Sequence, residues 1–357
     1  MKWLKLLIIL VSAIIGLVGL LLLLATLTDY KPEKPEKAEM EGNASDIQTK
    51  DSVFTILSWN IGYFGLGKDC DFFYDGGRMS RPSKESYRKY SAEALEYLKQ
   101  TGRVDFCFFQ EVDVKSRRSY YDDQVAMLRE IFPLMESSSA LNYLVSFVPV
   151  PLRNPMGKVK SGLVSFSSYH TMENTRYTFP GSYDWPVRLF MLDRCYLLSR
   201  LALPGGKDLV LINTHNEAFD DGSQRNREIA VLKEVMLKEY EKGNFVITGG
   251  DWNLNPVGEL PGTFSTGDIW KKIKPAIEAD FFPDGWKWVF DPEIPTNRDV
   301  DQIYKRGKTP TTIIDFFVVS PNISVEKVKT EDLGFEWSDH QPIRMEFKLK
   351  KSLLLAE

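Results

Sequence analysis

The chain has 357 residues, 43% of them apolar and 26% charged, proportions of a globular protein with enough length for a substantial core. Its formal net charge of −4 argues against a general binder of polyanions, which is normally basic, although a local basic patch is compatible with it. Cys70, Cys107 and Cys195 match no zinc spacing, and no internal repeat or second globular unit is visible.

In chain order, residues 6–27 are uncharged and apolar, long enough to span a bilayer as a helix. Lys2 and Lys5 precede this run, and the segment after it carries more acid than base. The positive-inside rule places the N-terminus in the cytoplasm and the rest outside it. A cleaved signal peptide would have a shorter apolar region and a better small-x-small site than residues 23–28 offer, so residues 1–28 read as an uncleaved transmembrane anchor. Residues 29–52 are rich in Pro, Glu and Lys, and are expected to form an unordered, semi-extended tether to the lipid bilayer.

The globular part, residues 53–350, starts with a strand from Val53 to Trp59 that ends at Asn60. Helical periodicity marks residues 84–101, with Tyr87, Tyr90, Ala94, Leu95 and Leu98 on one face, then 124–132 and 223–242. Strands are expected at 104–109, delivering Gln110 and Glu111, and around 141–148, 162–167 and 189–203. A further strand at 209–213 presents Thr214, His215 and Asn216. Phe245, Val246 and Ile247 begin a buried strand that two glycines interrupt before Asp251 and Asn253. Residues 254–310 read mostly as loop, rich in aromatics from Trp270 to Trp288; strands at 312–319 and 343–349 flank a loop holding Asp339 and His340. Strands outnumber the interspersed helices, which suggests an α/β sandwich, two sheets inside and helices outside.

The polar residues at these strand ends form a set: Asn60, Glu111, His215, Asp251, Asn253, Asp315, Asp339 and His340. Read singly, most are ordinary turn or cap residues. Asp315 is different, because a carboxylate between Ile314 and Phe316 needs a partner once buried. Taken together, hard oxygen ligands suit Mg2+, or Mn2+ or Ca2+, and a histidine beside an anion can move protons near neutrality. His170 reads as structural. Such parts serve metal-assisted displacement at phosphorus.

Six motifs then carry a resemblance: Leu57-Ser58-Trp59-Asn60, Phe109-Gln110-Glu111, Asn213-Thr214-His215, Gly250-Asp251-Trp252-Asn253, Ile314-Asp315-Phe316 and Ser338-Asp339-His340. In this order they resemble the endonuclease/exonuclease/phosphatase superfamily with its DNase I-like fold. The resemblance implies a four-layered α/β sandwich, two central sheets flanked by helices. It implies that Glu111 and Asn60 hold a divalent metal with Asp339 nearby, and that His340 is the catalytic histidine, oriented by Asp315. It further implies that His215 and Asn253 contact the phosphate, while Asp251 positions the attacking water or assists the leaving group. Where the inositol-polyphosphate phosphatase branch has a Trp-Cys-Asp-Arg run, this chain has Ile313-Ile314-Asp315-Phe316, which disfavours that branch.

The expected function is a divalent-metal-dependent phosphoesterase outside the cytoplasm, acting on a phosphate ester near the membrane such as a lipid head group or a small ester. Long nucleic acid is less favoured, because a nuclease gains most of its affinity from Lys and Arg on phosphates. Arg78, Arg81, Arg117 and Arg118 are the candidate phosphate patch for that alternative. A catalytically silent, membrane-anchored binding module is the alternative from another class, and it predicts gaps in the constellation. Tyr63, Phe64, Phe72, Phe73 and Tyr74 are candidate membrane-interface aromatics, or else core under a long loop.

Overall fold

A computed structural model describes residues 2–32, 35–47, 52–258 and 277–350. Its helices are α1 (Lys2–Leu27), α2 (Lys84–Gln100), α3 (Gln124–Ile131) and α4 (Ser223–Glu241). Its strands in chain order are β1 (Glu36–Lys37), β2 (Glu39–Glu41), β3 (Phe54–Asn60), β4 (Phe106–Asp113), β5 (Glu136–Val148), β6 (Gly157–Ser167), β7 (Glu173–Thr178) and β8 (Cys195–Ala202). They continue with β9 (Asp208–His215), β10 (Phe245–Asp251), β11 (Lys287–Val289), β12 (Asn297–Arg298), β13 (Thr311–Thr312), β14 (Asp315–Val319), β15 (Ile323–Thr330) and β16 (Ile343–Leu349).

Two seven-stranded sheets, ordered β1-β7-β8-β9-β10-β14-β11 and β15-β16-β3-β4-β6-β5-β2, pack face to face. Phe54, Ile56, Phe106 and Phe108 of one sheet meet Leu209, Leu211, Phe245, Ile247 and Phe317 of the other in a dry core. Each such side chain contributes roughly 1.5–3 kcal/mol when fully buried. The outer faces carry helices: Ile229, Leu232 and Met236 of α4 cover Val210, Ile212 and Val246, while Tyr87, Ala94 and Leu98 of α2 cover Leu57, Cys107 and Phe109. The architecture is thus the expected four-layered α/β sandwich. Ser83 Oγ accepts from Ser86 N–H to start α2, and an Asp123 carboxylate oxygen accepts from Ala126 N–H to start α3.

Strand direction gathers the site. β3 and β4 run parallel, as do β9 and β10, so Asn60, His215 and Asp251 arrive at the same end of the sandwich. β14 runs antiparallel to β10, so its first residue, Asp315, sits opposite Asp251. β16 runs antiparallel to β3 with Ile343 opposite Ser58, which sets the preceding Asp339 and His340 at that end too.

Several elements depart from the sequence expectation. The single strand expected over 189–203 is a 3-10 turn at Val187–Phe190 and then β8, because Asp193 and Arg194 interrupt its apolar run. β7 and β15 were hidden by mixed polar composition. Residues 36–47, expected to be unordered, add an edge strand to each sheet: Glu36 and Lys37 pair with Arg176 and Thr175, and Glu39–Glu41 pair with Ser137–Ser139. Ala38 and Ile47 are buried there, so two small apolar anchors and edge hydrogen bonds offset the ordering entropy. α1 is long and apolar enough to cross a bilayer, a test that a signal sequence also passes, and it buries none of its side chains. Tyr63, Phe64, Phe72, Phe282 and Trp286 are buried and fill core under loops instead of facing out; Trp270 lies outside the described residues.

Candidate active site

Backbone geometry aims the side chains. The register of β4 against β6 slips between Phe109 and Val112, a bulge in which Glu111 takes φ +55°. A bulge breaks the in-out alternation and re-aims a side chain, here into the cleft. Gly250 has φ +139°, and a Cβ there would stand 2.1 Å from Thr214 O, so only glycine lets β10 close on β9 just before Asp251. Gly62 at φ +49° leaves room for Asp339, whose Oδ1 would lie 2.9 Å from an added Cβ.

Beneath the site the sheets are tied by polar groups. Gln110 Nε2 donates to Asn213 Oδ1 at 2.7 Å. Asn213 Nδ2 in turn donates to Phe109 O at 3.3 Å and Val164 O at 3.2 Å. Two motif residues with no place in the cleft therefore brace its floor, since buried polar groups survive only when satisfied. The motif tryptophans act likewise: Trp59 Nε1 donates to His340 O at 3.1 Å and Trp252 Nε1 to Phe316 O at 3.0 Å.

The structure brings all eight sequence-predicted residues together. His340 Nδ1 lies 2.8 Å from Asp315 Oδ2, and its Nε2 faces Asp251 Oδ2 at 3.6 Å and Asp339 Oδ2 at 4.0 Å. His215 Nε2 approaches Asp251 Oδ2 at 3.4 Å. Asn253 N–H donates to Asp251 Oδ1 at 3.0 Å, and Asn253 Nδ2 donates to Asn216 O at 2.9 Å. Asn60 Nδ2 donates to Asp251 Oδ2 at 3.0 Å and toward Glu111 Oε1 at 3.4 Å, while its Oδ1 accepts Gly62 N–H at 3.0 Å. Burial alone lowers the His340 imidazole, but Asp315, Asp251 and Asp339 outweigh it, so the ring is held in its charged form well above its ordinary pKa. Burial raises the Asp315 carboxyl, and the His340 charge pulls it back. Burial also raises Glu111, whose side chain keeps 24% of its surface open to the cleft; Arg118 opposes that rise and Asp339 adds to it.

Glu111, His215, Asp251, Asn253, Asp339 and His340 border a cleft of about 430 Å³, and Asn60 and Asp315 contact them from behind it. Asn297, Arg194 and Arg225 went unnoticed in the sequence. Asn297 Nδ2 lies 3.0 Å from His340 Nε2. Arg194 borders the cleft and pairs with Glu217 at 3.4 Å. Arg225 Nη1 donates to Asn253 O at 2.9 Å, so the first turn of α4 holds the Asn253 loop. Wide sequence separation hid them: Asn297 lies in a stretch read as loop, and the strand and helix read around Arg194 and Arg225 do not show what those side chains reach. Of the candidate arginines, Arg118 borders the cleft, and Arg78, Arg81 and Arg117 do not. Arg81 Nη1 donates to Arg117 O, Arg117 Nη1 donates to Pro155 O, and Arg118 is buried against Asp113 at 2.9 Å.

The donor chemistry fits a divalent cation. Glu111, Asp251, Asp315 and Asp339 meet at one buried end, and Arg118, 3.8 Å from Glu111, is already paired with Asp113. Carboxylates in such excess over cations require a counter-charge in a low-dielectric site, and oxygen donors select a hard one. Among the described residues, Asp251, Asp315 and His340 form an acid and imidazole grouping with ligand atoms within 4.8 Å. Asp315 Oδ2 and His340 Nδ1 are taken up by their mutual hydrogen bond, whereas the Glu111 and Asp339 carboxylates border the cleft. Asn60 joins them only by turning its amide over, which gives up the Gly62 hydrogen bond.

Solved structures share this fold at low identity. An endonuclease/exonuclease/phosphatase from Beutenbergia cavernae is 16% identical, with TM-score 0.52 over 83% of this chain and 72% of that one. TDP2 from Caenorhabditis elegans is 17% identical, with TM-score 0.52 over 84% and 75%. ANGEL2, a 2′,3′-cyclic phosphatase, is 14% identical, with TM-score 0.53 over 88% and 99%. No curated protein matches the sequence. The profile described as Endonuclease/Exonuclease/phosphatase family matches residues 57–340, most of the chain, and the chain therefore belongs to that family.

Proposed function

We propose that this protein is a divalent-metal-dependent phosphoesterase, anchored by α1 with its catalytic domain outside the cytoplasm, that hydrolyses a phosphate ester met at or near the membrane. The observation that carries the reading is His340, bonded to Asp315 on one side and facing Asp251 on the other, at the floor of an open cleft. A silent binding module predicts gaps in this set, and all eight residues are present and converge.

Glu111 and Asp339, with Asn60 once its amide turns, are the proposed Mg2+ ligands, though Mn2+ or Ca2+ would satisfy the same oxygens. Bound there, the cation supplies Lewis-acid charge to the phosphate oxygens. Asp251 is the proposed acceptor of the proton of the attacking water. Asn253 N–H on Oδ1 fixes its plane, and His215 Nε2 stands beside it. As the oxygen–phosphorus bond forms and the ester bond breaks, negative charge grows on the phosphoryl oxygens, and the ester oxygen leaves as the alcohol by taking the proton that Asp251 accepted. The charged His340, held by Asp315, is positioned to donate to that charge. His215 and Asn253 are the proposed phosphate contacts.

Long nucleic acid remains the less favoured substrate. The cleft is bordered by Arg118, Arg194 and Arg298 but by six acids, Asp75, Glu111, Asp220, Asp251, Asp299 and Asp339. Such a lining does not follow a polyanion backbone well. Similar folds serve other esters, since TDP2 from D. rerio has been solved with a single-strand DNA product and ANGEL2 is a 2′,3′-cyclic phosphatase, so fold does not choose the substrate. A substrate panel decides: lipid phosphodiesters in vesicles, small phosphate esters, DNA and RNA, each with magnesium at physiological salt. Turnover confined to nucleic acid, with steep salt dependence, overturns the substrate assignment.

A further inference from the structure

The foot of α1 is bound to the catalytic domain. Trp185 Nε1 donates to Thr26 Oγ1 at 3.2 Å, inside the last turn of the helix. Arg188 Nη2 lies 3.8 Å from Asp29 Oδ2. Tyr30 stacks under the Arg176 guanidinium at 5.8 Å, and its hydroxyl donates to Glu36 Oε2 at 3.0 Å. Glu36 then enters the sheet beside Arg176. The helix foot is therefore fastened to the domain at Thr26, Asp29 and Tyr30, and such fastening fixes orientation as well as distance.

That orientation puts apolar side chains where the helix ends. Trp185 is 55% exposed and Val187 51% exposed, on the same loop that holds Thr26 and Asp29. The loop then runs to Met191 and Leu192, which border both the groove around the helix foot and the catalytic cleft. Phe219, 39% exposed, continues the rim. Its ring packs on Tyr74 at 5.6 Å, and its N–H donates to Glu217, the carboxylate that also accepts Tyr183 O–H at 3.0 Å.

We propose that Trp185, Val187 and Phe219 form a bilayer-contacting rim that seats the mouth of the catalytic cleft on the surface of the membrane holding α1. This rests on reading α1 as a membrane span. The occupant of the rim is the lipid interface itself, because the final turn of a spanning helix lies at that interface and touches Trp185 directly. Tryptophan is suited to this layer, with an apolar body and a polar N–H. Seated in this way, the cleft meets esters carried at the bilayer surface before it meets those in bulk solution.

The test uses the full chain in phosphatidylcholine vesicles. Cys70, Cys107 and Cys195 are free and buried, so Val187→Cys takes a single fluorescent label. Lys242→Cys, past the C-terminal end of α4 and at the far end of the sandwich, is the control. Lipid bearing a nitroxide near its head group should extinguish most emission at 187 and leave 242 unchanged. Equal quenching at both sites, or none at 187, overturns the rim. This readout needs no turnover, so it stands apart from the proposed chemistry. In the second arm, Trp185→Ser with Val187→Ser should retain turnover of a soluble chromogenic phosphodiester. The same variant should lose about tenfold or more on a phosphodiester lipid in the vesicles, the scale set by withdrawing two apolar side chains from an interface. Equal effects on the two substrates overturn the proposal, whereas a wild type inactive on both refutes the phosphoesterase reading alone.

Discussion

The Asp315–His340 pair offers the sharpest mutational test. Its 2.8 Å bond joins two side chains that are 0% and 5% exposed. Asp315→Asn keeps the shape and removes the charge that holds the imidazole protonated and oriented. A positioned proton-transfer or charge-donating group contributes about 10²–10⁴-fold, so each of Asp315→Asn and His340→Ala should lose about 10³-fold in kcat/KM. At 1.36 kcal/mol per tenfold this is ~4 kcal/mol of transition-state stabilisation. Because the two act as one unit, the double variant should also lose about 10³-fold, against about 10⁶ for independent groups. Stability supplies an independent signature. His340→Ala leaves a buried carboxylate unpaired at a cost of about 3–5 kcal/mol, and adding Asp315→Asn should recover most of it. The assay is steady-state turnover of a chromogenic phosphodiester at saturating magnesium, with urea unfolding of the same preparations. Losses that simply multiply, with no stability recovered in the double variant, refute the pair as a unit.

Three further outcomes are expected. Glu111→Gln should fold normally and need more magnesium for any given rate, and an unchanged magnesium titration removes the ligand assignment. Gly250→Ala places a Cβ 2.1 Å from Thr214 O, so it should destabilise the fold by at least ~1–3 kcal/mol in urea unfolding, and a neutral result contradicts the close β9–β10 approach. Burial raises the Glu239 carboxyl, but hydrogen bonds from Arg200, Lys242 and Asn244 outweigh it and bring the pKa from 4.5 down to about 2. A carboxylate depressed on folding stabilises above its unfolded value and loses that contribution as pH falls from about 4.5 to about 2. Glu239→Gln should flatten the urea-midpoint slope in that window, and an unaltered slope contradicts the assignment.

Much of this site was legible because strand ends carry signals that survive in one dimension. An apolar run followed by a polar residue, as at Trp59-Asn60 or Ile247 to Asp251, marks both a strand and its cargo. Asp315 was legible for a different reason, since an acid inside an apolar run demands a partner, and His340 supplies it. What the sequence could not display was made by register. The bulge that turns Glu111 into the cleft depends on pairing with β6, and the Gln110–Asn213 brace joins residues 103 apart. Asn297 reaches His340 from a segment that reads only as loop. Composition misled at residues 36–47, where Pro, Glu and Lys suggested an unordered tether. Edge pairing needs backbone hydrogen bonds and few apolar side chains, so two strands formed there with Ala38 and Ile47 as their only buried anchors among the described residues. Aromatic density left two readings open, interface or core, and the burial of Tyr63, Phe64 and Phe72 under their loop selects core for those three.

The central claim is that a divalent cation and His340 together hydrolyse a phosphate ester in this cleft. The direct measurement is turnover of a chromogenic phosphodiester by the purified full chain in nanodiscs, for wild type and His340→Ala, with magnesium, with EDTA, and with magnesium restored. The account predicts wild-type turnover that EDTA abolishes and magnesium restores, while His340→Ala stays lower by about 10³-fold wherever magnesium is present. Wild-type turnover indifferent to EDTA, or His340→Ala turnover equal to wild type, would contradict it.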